Sequence, residues 1–259
     1  TGANKKSNSL GGKMLISPTH NFIFYKPMKV AGSSIEASLL EVCGEEALCT
    51  GGAAVDIDGS SRREYQHRNN VMADGEYEVA RFHSHTDPDL FRAVIADPDW
   101  YREYKHVSVV RNPWDQVISY YWWSMAANRN NDYLITKDDS TLKLREKFNN
   151  WLEIFGSYPG FDNENTRMWK TPIGHLSSVN EKFIHPRITD YLRFENLEQD
   201  FNTFCASIGC PGIELKKLKS GLRQVDLNRK DYYDTWAKLR VKMNFKKTID
   251  RFRYSLDDQ

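Results

Sequence analysis

The sequence predicts an α/β fold, a single domain with a central parallel sheet flanked by helices. Two patterns carry that expectation. Short apolar or β-branched runs, FIFY at 22–25, EVARF at 78–82, KHVSVV at 105–110 and TDYLRF at 189–194, alternate with stretches of helical period. Strands separated by helices pair in parallel and need cover on both faces. The third observation is size. A chain of 259 residues without an internal repeat or a clear linker suits one large domain.

Taken in order, the first strand is 22–25, bounded by turn signals. KPMKVAG at 26–32 follows as a loop, and Ser33 and Ser34 precede Ile35, Ala37, Leu39 and Leu40, which predicts a helix with a Ser N-cap. Residues 44–75 are polar, with GG, DG and SS turns, and read as an irregular insertion or hairpin region. The strand at 78–82 ends at His83-Ser84-His85, and 87–96 is a helix candidate. The strand at 105–110 stops at Arg111-Asn112-Pro113, and Pro113 suits the first turn of a helix that runs to about 127. A polar loop covers 128–140, within a second irregular stretch near 128–163, and a helix is predicted over 142–155. After the strand at 189–194, Leu197, Phe201, Phe204 and Ile208 keep helical spacing until Gly209 stops it. A basic stretch at 216–230 precedes a last helix at 232–244. Residues 1–13 read as a disordered leader or an expression remnant, leaving 14–259 as the domain.

Composition excludes several classes. With 36 Lys+Arg against 35 Asp+Glu, the net charge of +1 argues against a general nucleic-acid binder, so any anion site must be a local cluster. No apolar run approaches the ~20 residues of a membrane helix. Cys43, Cys49, Cys205 and Cys210 form two close pairs without CxxC spacing or a neighbouring His, and free buried thiols are the favoured reading over disulfides or a metal. Nothing in the sequence fixes an oligomeric state.

Three strand exits carry the chemistry, since ligands in such folds sit beyond the carboxyl ends of the strands. At the first, small residues Ala31, Gly32, Ser33 and Ser34 let backbone N–H groups approach an anion at a helix N-terminus, with Lys29 adding a full charge. The pattern is not GxxxxGK[ST], which argues against an ordinary P-loop ATPase or kinase; the alternative is a plain strand-to-helix turn. At the second, His83 and His85 share one side of an extended segment, and a neutral imidazole takes a proton from a hydroxyl near pH 7. The alternatives are a metal pair, for which only Asp87 is a nearby third ligand, or two surface histidines. At the third, Arg111 and Ser119 bracket one turn-and-helix unit and can meet one phosphate, Arg111 through a charge-assisted fork. The alternative is an Arg bonded to nearby carbonyls.

FIFYKPMKVAGSSIE resembles the 5′-phosphosulfate loop of sulfotransferases, and VSVVRNPWDQVISYY resembles their 3′-phosphate motif, with the same Arg-to-Ser spacing. ITDYLRFENLEQDF is similar to a later strand-helix segment of that family, NRKDYYD with TIDRFRYSL to the C-terminal segment of its carbohydrate branch, and FHSHTDPDLF to the His-x-His segment of the heparan-sulfate 2-O-sulfotransferase branch. Asn165-Thr166-Arg167 faintly resembles a further family segment. The matches run in order from about 22 to 256 and leave 44–75 and 128–163 without a counterpart.

The resemblance implies a P-loop-like sulfotransferase fold and the donor 3′-phosphoadenosine 5′-phosphosulfate (PAPS), with adenosine 3′,5′-bisphosphate as product and no metal. It places Lys29 near the bridging oxygen between phosphate and sulfate. Val30, Ala31, Gly32, Ser33, Ser34 and Ile35 hold the 5′-phosphate, and Arg111 and Ser119 the 3′-phosphate. Arg229 and Lys230, with Arg223 as a further candidate, close over the nucleotide. His85 is the expected base, with His83 as orienting partner or alternative base, for in-line transfer to a glycan or another hydroxyl-bearing small molecule. At most one of Trp122 and Trp123 is expected to face the acceptor. The competing readings are a nucleotide-dependent phosphotransferase and a non-catalytic glycan- or nucleotide-binding protein on the same fold. Neither nucleic acid nor a membrane segment is implied. The chain reads either as a cytoplasmic enzyme or as a luminal, Golgi-type domain without its anchor.

Overall fold

A computed structural model describes residues 14–43, 47–49, 85–95, 99–127, 133–153, 171–218, 221–225 and 227–258. The first half holds β1 (Leu15–Ser17), β2 (Phe22–Tyr25), α1 (Gly32–Leu39), β3 (Leu48–Cys49), α2 (Pro88–Ile95), α3 (Asp99–Glu103), β4 (Lys105–Val110) and α4 (Pro113–Ala127). The second half holds α5 (Thr141–Leu152), α6 (Pro172–Asn180), β5 (Asp190–Arg193), α7 (Leu197–Ser207), α8 (Arg229–Tyr232), α9 (Thr235–Asn244) and α10 (Lys246–Phe252). Among the described residues the sheet has five strands in the order β3-β1-β2-β4-β5. β2, β4 and β5 are parallel, as the strand-helix alternation predicts, while β1 and β3 extend the sheet antiparallel. The sheet is therefore mixed. The predicted strand at 78–82 and the leader at 1–13 lie outside the described residues.

Alternation along β2 decides the layering. Successive side chains point to opposite faces. Phe22 and Phe24 join Val107 and Val109 of β4 beneath Ile35 and Leu39 of α1 and Phe201 and Phe204 of α7. Ile23 and Tyr25 face the other way, onto Phe91 of α2 and Tyr101 of α3. A third apolar cluster, built from α4, α5, α6, α8 and α9, flanks the sheet and holds Tyr120, Tyr121, Trp122, Phe148 and Trp151. Cys43 and Cys205 are free thiols within the α1–α7 layer, and Cys210 is free and half-buried. Burial pushes the Cys43 thiol up to about 11 and that of Cys205 to about 12, so both are inert fillers at neutral pH.

His106 occupies the α2–α3 face and is 1% exposed. Its Nε2–H donates to the Tyr101 carbonyl at 2.7 Å, leaving Nδ1 to accept the Tyr25 hydroxyl at 3.0 Å. Burial holds this imidazole neutral, down to a pKa of about 4, whereas an unfolded His titrates near ~6.5. The folded pKa is the lower, so the unfolded chain binds the extra proton. The contribution is complete above the unfolded value and is lost as pH falls toward 4, about 3 kcal/mol in all. We expect urea-unfolding stability to decline through that window, and the His106 ring signals in NMR to stay neutral until its acid end. A ring that protonates at its ordinary pH would contradict this.

Candidate active site

The register of the parallel strands assembles the site. Tyr25 pairs with Ser108, so the loop after β2 and the turn after β4 open side by side. Val110 pairs with Arg193, so Arg111 leaves the sheet next to Phe194, the first residue after β5. The three exits share one cavity of about 1080 Å³, large enough for a nucleotide.

The loop from Lys26 to Ala31 is conformationally strained. Lys29 and Ala31 both sit at φ 62°, in the left-handed region that costs non-glycine residues about 1–3 kcal/mol each. Clamps from distant elements hold that shape. The Met28 N–H donates to Asn180 Oδ1 at 2.7 Å, and the Met28 carbonyl accepts Gln116 Nε2 at 2.6 Å. The Lys29 carbonyl accepts an Arg111 N–H at 3.0 Å. Lys26 is buried and pairs with Glu36 at 2.6 Å. The stem of Lys26 explains Gly32: a Cβ there would lie 2.5 Å from Lys26 Cγ. Ala31, not a serine, is the N-cap of α1, and it makes no side-chain cap. The predicted Ser cap is corrected by the left-handed turn at Ala31, which starts the helix one residue before Ser33. The N–H groups of Gly32 and Ser33, in the first turn, have no acceptor within the helix and form a ready anion cradle. Ile35 N–H is taken by the Ala31 carbonyl, and the Ile35 side chain is core.

Arg111 is the hinge between loop and helix. Its guanidinium donates to Asp115 Oδ2 (Nε at 2.7 Å) and lies 3.8 Å above the Phe194 ring. Arg223 reaches the other oxygen of Asp115 at 2.8 Å. Burial pulls Arg111 below its ordinary value, with Asp115 the main influence opposing it; a guanidinium remains charged at neutral pH. Burial pushes Asp115 upward, but Arg111 and Arg223 outweigh it and hold the carboxyl below the ordinary range. Ser119, two turns further along α4, lines the cavity, half-buried.

His85 lines the same cavity, just before α2. Its Nδ1 lies 2.7 Å from the Lys26 carbonyl, which only accepts, so Nδ1 carries the proton and Nε2 is the basic nitrogen of the neutral ring. The Lys26 carbonyl is thus an orienting partner for His85. Asp87 caps α2, accepting the Leu90 N–H at 3.0 Å. Of the two tryptophans, Trp122 is buried and donates its indole N–H to Tyr232 at 3.2 Å. Trp123 is half-buried, stacks on Tyr120, and lies under the Lys29 ammonium, 5.4 Å from ring to nitrogen. The structure therefore gathers Lys29, Val30, Ala31, Gly32, Ser33, Ser34, His85, Arg111 and Ser119 around one cavity.

Other expected residues lie elsewhere. Arg229 donates to the Asp258 carbonyl and Lys230 pairs with Asp257, so both fasten the C-terminal tail. His83 and Asn165-Thr166-Arg167 lie outside the described residues. From the basic stretch, Lys216, Lys217, Leu218 and Arg223 reach the cavity instead. The Lys216 and Leu218 N–H groups donate to Ser38 Oγ and Ser34 Oγ, at 2.8 and 3.1 Å, which straps this segment along α1.

The sequence profile of the sulfotransferase family matches residues 12–250. The chain belongs to the sulfotransferase family. No curated protein and no solved structure gives a match. In this sulfotransferase the residues that motif reading passes over are Phe194, Asp115, Gln116 and Asn180. Phe194 had a signal, since it follows the third parallel strand as Lys26 and Arg111 follow the other two. Asn180 had none, because its partner Met28 is 152 residues away.

Proposed function

We propose that this sulfotransferase moves the sulfuryl group of PAPS to an acceptor hydroxyl, with a glycan as the acceptor class and His85 as general base. The observation that supports it is the convergence of Lys29, the first turn of α1, Arg111, Ser119 and His85 on one cavity. These residues suit a donor with two separated phosphate groups: the strained loop and helix N-terminus make one anion cradle, and Arg111 with Ser119 a second. When bound, PAPS would supply an activated sulfuryl group in a phosphosulfate anhydride, with the 5′-phosphate of adenosine 3′,5′-bisphosphate as the leaving group.

In this reading the N–H groups from Val30 to Ser33, with the hydroxyls of Ser33 and Ser34, hold the 5′-phosphate. Arg111 and Ser119 hold the 3′-phosphate and separate this donor from AMP and ATP. Lys29 presents a cation where the bridging oxygen gains negative charge as its bond to sulfur breaks, an interaction worth most in the transition state. His85 Nε2 takes the acceptor proton as the new oxygen–sulfur bond forms. The His-x-His resemblance and the half-buried face of Trp123 beside Lys29 favour a sugar acceptor. The test is nucleotide discrimination: adenosine 3′,5′-bisphosphate stabilises the fold, AMP and ATP at the same concentration stabilise it much less, and Ser119→Ala weakens the bisphosphate response. Equal stabilisation by ATP overturns the donor assignment.

A further inference from the structure

Helix α9 turns two opposite faces to two environments. Ala237 and Val241 are buried in the α4–α5–α6 cluster. On the other side Trp236 is 71% exposed, Leu239 44% and Met243 67%. These are three of the five large apolar side chains that stand exposed among the described residues, and they fall within eight positions of one helix. At about 100° per residue they form one stripe roughly 60° wide. Single exposed apolar residues are ordinary; a continuous stripe containing a tryptophan is not.

The charge around the stripe is one-sided. Residues 235–247 contain Lys238, Arg240, Lys242, Lys246 and Lys247 and no acid, in a chain whose net charge is only +1. Lys242 borders the stripe on one side, with Lys238 a turn before it, and Arg240 borders the other, held by Glu153 at 2.7 Å. Lys246 and Lys247 follow at the start of α10, Lys246 paired with Asp250 and Lys247 exposed. Three side chains offer a few hundred Å² at most, well short of the roughly 800 Å² per partner of a stable protein interface. Among the described residues no helix is long and apolar enough to cross a membrane. A short apolar stripe between rows of cations is instead the pattern of a helix that lies in an interface, its Trp at headgroup depth and its lysines among anionic headgroups.

We infer that α9 docks this protein reversibly on an anionic lipid surface through Trp236, Leu239 and Met243, with Lys238 and Lys242 reading the surface charge.

The test is cosedimentation of the full chain with vesicles of phosphatidylcholine alone and of phosphatidylcholine with phosphatidylserine, at low and raised salt. The chain is expected to pellet with the anionic vesicles, to be released by salt, and to stay in solution with the neutral ones. Trp236→Ser with Met243→Ser, and separately Lys238→Glu with Lys242→Glu, are expected to weaken binding by about tenfold or more at unchanged Tm. Trp236, Lys242 and Met243 are exposed and Lys238 is half-buried outside the apolar cluster, so an unchanged Tm is the control for the fold, and brominated lipid gives a second readout by quenching tryptophan emission in the parent but not in the Trp236 variant. Absent binding, equal binding to neutral vesicles, or binding unchanged in both variants overturns the inference. So does a concentration-dependent dimer that Trp236→Ser abolishes, which would assign the stripe to a second copy of the chain.

Discussion

Lys29→Ala is expected to lower kcat for sulfuryl transfer by about 10²–10³-fold, the loss that follows removal of one preplaced group stabilising transition-state charge. The argument is local. The ammonium is placed beside Trp123 in the cavity by a residue at φ 62°. The backbone carbonyl of that residue, not its side chain, accepts from Arg111. Alanine therefore keeps the loop's hydrogen bond and its left-handed turn while removing the ammonium and its contact with Trp123. In single-turnover transfer from PAPS, kcat and kcat/KM should fall together, because the interaction belongs to the transition state. Binding of adenosine 3′,5′-bisphosphate should change little. A variant that loses product affinity but transfers at the parent rate would place Lys29 on the ground-state phosphates instead.

His85→Ala is expected to cost about 10²–10⁴-fold in kcat, the usual range for a positioned general base. The ring is oriented in advance: Nδ1–H on the Lys26 carbonyl leaves Nε2 as the basic nitrogen. The rise of rate with pH that an imidazole base imposes should disappear in the variant, a change that a merely structural role would not produce. His83→Ala should keep most of the activity. Loss in His83→Ala with retention in His85→Ala would reverse the assignment.

The part of this fold that was legible in the sequence is the part where neighbouring residues decide the structure. β2, β4 and β5 announce themselves as apolar runs, and Pro113 and Gly209 mark a helix start and a helix end that the structure keeps. β1 was not legible, since Leu15–Ser17 is too short to show a period and abuts a polar stretch. β3 falls inside the segment read as an irregular or hairpin region and gains strand geometry only by pairing with β1. The last predicted helix divides because Asp234 caps α9 anew, accepting the Ala237 N–H at 2.7 Å.

The site divides along the same line. Lys29, Arg111 and Ser119 follow strand ends and could be named from spacing. The groups that fix the loop could not, because Gln116, Asn180 and Glu36 meet it only after the chain has folded. The basic stretch shows the limit of charge as a guide. Arg223 reaches the cavity through Asp115, while Arg229 and Lys230, a few residues on, turn to the acidic tail.

The central claim is a donor site built for two phosphate groups, and thermal unfolding with added nucleotide tests it most directly. At 100 times its Kd, adenosine 3′,5′-bisphosphate should add about 2.7 kcal/mol, a Tm rise of roughly 5–10 °C for a chain of this size. AMP, which lacks the 3′-phosphate, should give a much smaller rise at the same concentration. Ser119→Ala should reduce the bisphosphate response toward that of AMP while leaving the ligand-free Tm in place. A Tm that does not move with the bisphosphate, or moves equally with AMP and ATP, would contradict the account.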